Sequence, residues 1–318
     1  RPMRTALPVA WITHPLCQRH VIDEGHPESP HRLAAIEDRL VASGLGAFLQ
    51  RHEAPEATRE QLQRAHDADY VEHVLAHRTI GDTRAVVDGD TAFTRWTVDA
   101  ALRAAGAGVL GVELALRGDA GLAFCAVRPP GHHAERSRAM GFCFFNNIAV
   151  AAAHALAQGL SHVAIFDFDV HYGNGTADIF RNDTRVLLLS SYQHPLYPHW
   201  TGAPEALNLV DVPLRPYSDG SAFRTAVLDA WMPALARTRP QMIFVSAGFD
   251  AHAADPLADL RLSYDDYRWL GALIRDVAAE SAQNRVVAML EGGYELTALA
   301  RSVEAFLTPF LGGEMLPA

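Results

Sequence analysis

The sequence predicts an α/β fold: a doubly wound, mainly parallel sheet flanked by helices, in a single domain over residues 1–318. Three observations predict it. Five short runs, 121–127 (GLAFCAV), 162–168 (HVAIFDF), 185–191 (RVLLLSS), 241–247 (QMIFVSA) and 285–290 (RVVAML), alternate with stretches of helical pattern. The runs are almost continuously apolar, as strands covered on both faces are. Polar residues with chemical potential then collect just past the ends of these runs, the edge where open α/β sheets place their sites.

The helices are read between the runs. One is expected from about 30 to 43, with Pro30 near its first turn, where a missing N–H costs nothing. Residues 97–117 are rich in Ala and Leu, and 147–158 follow Asn146, a suitable N-cap. Residues 222–238 and 264–283 are amphipathic. The stretches 21–32 and 198–208 are rich in turn formers and read as surface loops, and no internal repeat or low-complexity linker interrupts the chain.

Composition narrows the function. With 318 residues and 49% hydrophobic content the chain can bury a large core. A formal net charge of −10 without a basic cluster disfavours nucleic acid as a partner. No apolar run approaches the roughly 20 residues that span a bilayer, so no membrane partner is expected. The start, RPMRTALPVAWITH, has no continuous apolar segment and no small-residue cleavage site, which argues against a signal peptide. It does not open on Met, and Arg1 and Pro2 read as tag or trimming residues. Cys17, Cys125 and Cys143 are odd in number and lack CxxC spacing, so they read as free thiols of a reducing cytoplasm.

The chemistry gathers at the sheet edge. Asp169 and His171 follow the run ending at Phe168, and residues at i and i+2 of an extended segment point the same way. Asp250 follows the run ending at Ala247. Two carboxylates and one imidazole suit Zn²⁺ or Fe²⁺, and Mn²⁺ less well. His132 and His133 follow the rigid PPG turn and are suited to proton transfer near neutral pH, with Asp167 and Asn174 placed to hold one ring nitrogen each. In EGGY (291–294) two glycines let Tyr294 turn inward, where a phenol can donate to a developing oxyanion. GNGT (173–176) lacks the lysine and glycine spacing of a phosphate loop.

Six segments resemble the histone deacetylase family, of the class II and bacterial deacetylase-like amidohydrolase type: HPESPHR (26–32), RPPGHHA (128–134), GFCFFNN (141–147), DFDVHYGNGT (167–176), SAGFDAH (246–252) and LEGGY (290–294). They stand in the family order and span most of the chain. The resemblance implies an arginase-like α/β fold and one catalytic Zn²⁺ on Asp169, His171 and Asp250. It implies that His132 and His133 handle protons, with His133 as general base and acid, and that Tyr294 polarises the scissile carbonyl. Gly141, Phe142 and Tyr197 would flank a tunnel for the acylated side chain, and Tyr197 departs from the family's usual Phe. Thr91 is matched to a substrate contact near the rim, and Arg32 to the cavity through which acetate leaves. A structural K⁺ is implied near Asp167, Asp169, His171 and the backbone of 190–191. Asn174 stands where class I members carry Asp, so His133 should be easier to keep neutral.

The implied reaction is hydrolysis of an N-acetyl amide to amine and acetate. The substrate is an acetylated lysine side chain or an acetylated polyamine, and Asp23, Glu24, Asp88 and Asp90 are candidates for an acidic entrance to either. In the polyamine-selective branch an acidic gatekeeper is expected at the position of Leu257, so leucine there favours acetyl-lysine. An arginase-type reading lacks ligands for a second metal. A catalytically silent acetyl-ligand-binding protein would have no use for Tyr294. Self-association is left open.

Overall fold

The last two strands of the chain fill the middle of the sheet, and that insertion assembles the site. The computed structural model describes residues 7–312, so Arg1 and Pro2 lie outside it. In chain order the elements are β1 (Val9–Thr13), α1 (His31–Ser43), β2 (Leu49–Glu53), α2 (Arg59–Gln63), α3 (Ala68–Ala76), β3 (Ala85–Val86), β4 (Ala92–Phe93), α4 (Thr97–Arg117), β5 (Leu122–Cys125), α5 (Asn147–Ala157), β6 (Val163–Asp167), α6 (Asn174–Phe180), β7 (Val186–Gln193), β8 (Leu209–Leu214), α7 (Gly220–Thr238), β9 (Ile243–Ala247), α8 (Tyr264–Ser281), β10 (Val286–Leu290) and α9 (Leu296–Leu307). Eight strands form one sheet in the order β2-β1-β5-β10-β9-β6-β7-β8. Every neighbouring pair in it is parallel. The antiparallel hairpin β3–β4 stands apart.

The five apolar runs are β5, β6, β7, β9 and β10, each buried along its whole length, so both faces of the central sheet are covered. Helix α4 packs on α5, while α1 and α8 pack on α9. The five helices read from the sequence are all present, with ends within two residues of expectation. The Asn146 side chain accepts the Ala149 N–H at 3.1 Å and starts α5. Helices α1 and α4 both stop at a left-handed glycine, Gly44 and Gly118.

Three strands of the main sheet escaped the apolar pattern. Strand β2 (LQRHE) and strand β8 (LVDVPL) are the two edges, where polar residues and a proline blunt open pairing. Strand β1 is apolar but short and lies at the start of the chain. Among the described residues no helix is long and apolar enough to cross a membrane. All three cysteines are buried and unpaired. Burial raises the Cys143 thiol far above its ordinary value, so this cysteine is held neutral, and it donates to the Gly141 carbonyl at 3.3 Å.

Candidate active site

Four adjacent central strands deliver the site. His132 and His133 follow β5, Glu291 to Tyr294 follow β10, Asp250 follows β9, and Asp167 ends β6 with Asp169 and His171 beyond it. These loops line a cleft of about 580 Å³ whose walls include His132, His133, Gly141, Phe142, His171, Tyr197, Leu257 and Tyr294. At its floor, ligand atoms of Asp169, His171 and Asp250 all lie within 4.8 Å of one another. The Nδ1 atom of His171 is 3.2 Å from Asp169 Oδ1 and 3.1 Å from Asp250 Oδ2. Asp250 Oδ1 accepts the Val170 N–H at 2.9 Å, and Asp169 Oδ2 accepts that of Gly292 at 2.8 Å, so each carboxylate is aimed by a backbone bond. A Cβ on Gly292 would sit 2.2 Å from Asp250 Oδ2, so only glycine lets this turn approach the floor.

The tandem histidines are held as the sequence suggested. His132 Nδ1 bonds Asp167 Oδ2 and His133 Nδ1 bonds Asn174 Oδ1, both at 2.8 Å. Their charges then diverge. Burial opposes a charge on His132, yet Asp167, Asp169 and Glu291 outweigh it and hold its pKa well above the ordinary imidazole value. Burial, then His132 and His171, push His133 well below that value. The two histidines of the pair are thus pushed in opposite directions, as a pair that divides acid and base roles needs.

Tyr294 sits between the end of β10 and the start of α9, where the Glu295 side chain caps the helix at the Ala298 N–H, 2.6 Å away. Its own N–H donates to Asp255 Oδ2 at 2.8 Å. Burial raises the phenol, and Asp250 and Asp169 add to this against Arg32, so it stays a proton donor at neutral pH. Phe142 stands edge-on to Tyr294 at 6.0 Å, and Tyr197 edge-on to His133 at 5.4 Å. Phe142 has φ +70, and a Cβ on Gly141 (φ +57) would fall 2.5 Å from the His133 ring.

Two expectations change. Thr91 is fully buried and so lies out of reach of a ligand at the rim. Its hydroxyl accepts the Phe142 N–H at 3.0 Å and pins that unusual backbone, while Asp88, Gly89 and Asp90 of the same turn line the cleft. Asp23 pairs with Arg84 at 2.6 Å, and neither Asp23 nor Glu24 is on the cleft wall. Arg32 is fully buried, as a residue of an internal cavity would be: it lies under the Tyr294 ring, 5.0 Å from its centre, and donates to the carbonyls of Gly293 and Glu291.

Sequence reasoning missed several supporting residues. Glu291, fully buried, accepts the N–H groups of Gly131 (2.8 Å) and His132 (3.1 Å) and the Ser246 hydroxyl (2.9 Å), so it fixes the turn that presents both histidines. Burial, partly offset by His132, raises it to about 7. A lone carboxylate directly after the apolar run 285–290 was the available signal. Glu28, also fully buried, bridges Arg128 (2.6 Å) and Arg32 (2.9 Å). Arg138 lines the cleft mouth, exposed.

The Glu28 bridge carries a stability prediction. Burial alone would raise this carboxyl, but Arg128 and Arg32 overcome it and lower it to about 2. A depressed folded-state pKa stabilises the fold above the unfolded value near 4.5 and is lost as pH falls toward 2. Glu28→Gln leaves two buried guanidinium groups unpaired and is expected to cost about 3–5 kcal/mol. Urea unfolding at pH 7 checks it, and the variant should show a shallower loss of stability than the parent between pH 4.5 and 2.

The chain is similar to known proteins in sequence and in fold. A family model described as the histone deacetylase domain matches residues 26–309. The chain is 39% identical over 303 residues to a histone deacetylase-like amidohydrolase of Pseudomonas aeruginosa, covering 92% of this chain and 77% of that protein. It is 33% identical to a probable deacetylase of Archaeoglobus fulgidus, covering 90% and 81%. The crystal structure of the HDA15 HD domain superposes with a TM-score of 0.91 at 30% identity, covering 98% of this chain and 90% of that one.

Proposed function

The chain belongs to the histone deacetylase family, and on that footing we propose that it is a zinc-dependent deacetylase acting on acetyl-lysine-type substrates. The observation that carries this reading is the convergence of Asp169, His171 and Asp250 on one point of the cleft floor, with a charge-split histidine pair and a phenol on the walls above. Two carboxylates and one imidazole are a donor set for a single divalent ion with open positions, which Zn²⁺ satisfies. Such an ion, when bound, acidifies water and polarises a carbonyl.

The chain's own groups do the rest. Neutral His133 takes a proton from the attacking water, its ring oriented by Asn174. His132, held positive by Asp167, stabilises the negative charge that builds beside it. Tyr294 donates a hydrogen bond to the carbonyl oxygen as the C–O bond loses double-bond character. His133 returns the proton to the nitrogen as the C–N bond breaks, releasing acetate and a free amine.

A K⁺ site is part of the same reading. The Ser190 hydroxyl is buried without a partner, and Ser190 lies in register with Asp167 across β6 and β7. A monovalent cation there would satisfy that hydroxyl and brace the Asp167–His132 pair.

Acetylpolyamines are the second reading, favoured by Asp88 and Asp90 at the mouth. Arg138 and Leu257 on the same wall oppose a polycation. Acetate release from an acetyl-lysine peptide, acetylputrescine and N8-acetylspermidine decides between them. The peptide is expected to have the highest kcat/KM, and no acetate from any of the three would leave a silent binding protein. Leu257→Glu is expected to shift the ratio toward the polyamines by about threefold, the scale of one solvent-exposed charge pair. An unchanged ratio would remove Leu257 from substrate selection.

A further inference from the structure

The wall of the cleft that carries Leu196 and Tyr197 is only partly buried. None of residues 194–202 is fully buried. Yet the indole of Trp200 is tied down twice. It stacks on the Tyr172 ring at 4.4 Å with an interplanar angle of 12°, and its Nε1 donates to Asp211 Oδ2 at 2.7 Å. The other oxygen of the same carboxylate accepts the Tyr172 hydroxyl at 3.1 Å. Tyr172 is fully buried and follows His171 directly, while Asp211 lies on the edge strand β8. A turn closed by the His199 N–H on the Leu196 carbonyl, 2.8 Å, links Trp200 to the wall residues. The three side chains thus join the metal-bearing loop, the sheet edge and one side of the cleft.

We propose that Tyr172, Trp200 and Asp211 form a latch that sets the width of the acyl tunnel, and that Trp200 and Asp211 are positioning residues for selection of short acyl groups. The proposal rests on the deacetylase reading for its substrate, while the latch stands on contacts alone. With the latch closed, Tyr197 is held edge-on to His133 and His171, at 5.4 and 6.4 Å, leaving room beside Phe142 for a slender chain. Without it, the exposed segment 194–202 is free to swing outward, which admits longer acyl groups and loosens the contact with acetyl-lysine.

The test compares the parent, Trp200→Ala and Trp200→Phe. Phenylalanine keeps a stacking ring and loses the bond to Asp211, so it guards against a simple folding failure of the alanine variant. The first readout is hydrogen–deuterium exchange, which needs no substrate. Exchange across 194–202 is expected to quicken in Trp200→Ala and to a lesser degree in Trp200→Phe, with β9 and β10 unchanged. The second readout is kcat/KM for acetyl-, propionyl- and butyryl-lysine peptides, with metal content measured alongside. The butyryl-to-acetyl ratio is expected to rise about tenfold in Trp200→Ala, the scale on which a pocket reads one or two methylenes. KM for the acetyl peptide should rise more than kcat falls, and Trp200→Phe should lie between. Unchanged exchange at 194–202 overturns the latch, and equal loss on all three acyl lengths overturns its role in selection. A parent that hydrolyses none of the peptides overturns the acetyl-lysine reading instead, and the exchange result then judges the latch alone.

Discussion

Asp250→Ala is expected to abolish stoichiometric metal binding and to lower activity by more than about 10³-fold, beyond the 10–100-fold that outer partners of a metal site typically cost. The reasoning is geometric and electrostatic. Asp250 supplies one of the two carboxylates within reach of His171 Nδ1. Burial raises its pKa, and the nearby Asp169 raises it further. Two buried carboxylates this close favour a cation between them. Chelation should lower the melting temperature of the parent, because binding to the folded state alone stabilises it by mass action. The alanine variant has shed the repulsion along with the ligand, so its melting temperature should not respond to a chelator. Metal analysis after dialysis, paired with thermal melts in chelator, checks both halves. Full metal occupancy in Asp250→Ala would show that the ion is held elsewhere.

Tyr294→Phe is expected to keep the metal and the fold but to lose about 10²–10³-fold in kcat, the usual scale for one oxyanion donor. The substitution removes a single hydroxyl. The ring stays between Phe142 and Arg32, and the Tyr294 N–H keeps its bond to Asp255. A merely structural tyrosine would instead show a lower melting temperature with kcat nearly intact. Measuring kcat, metal content and melting temperature on one preparation separates the two cases.

How much the sequence disclosed depended on how local each signal was. Asp169, His171, Asp250 and the tandem histidines could be read because each follows an apolar run, and parallel strands bring all run ends to one edge. Strands β2 and β8 could not, since edge strands carry polar residues that break the pattern. The family match that places Thr91 at the rim says nothing about depth; in the fold its hydroxyl faces the Phe142 backbone instead. Glu28 and Arg128 stand 100 residues apart, so their pairing had no local trace at all. Glu291 was within a quoted segment, yet its partners at 131, 132 and 246 arrive only through the sheet order. The Tyr172–Trp200–Asp211 contacts were hidden likewise, since their three members lie on separate segments that only the sheet brings together.

The division between sheet-borne and loop-borne residues also bears on how such a protein can change. The proton-handling and metal-directed groups hang from four neighbouring interior strands, where a shift in one is transmitted to the next. The outer residues of the cleft wall come from the β3–β4 turn, the segment at 196–197 and the stretch around Leu257, all on connections outside those strands. On the proposed reading, substitutions there would change which acylated ligands fit while the floor of the cleft stays intact. Selection can thus explore ligand range and reaction chemistry almost independently, a modularity written into where the last two strands were inserted.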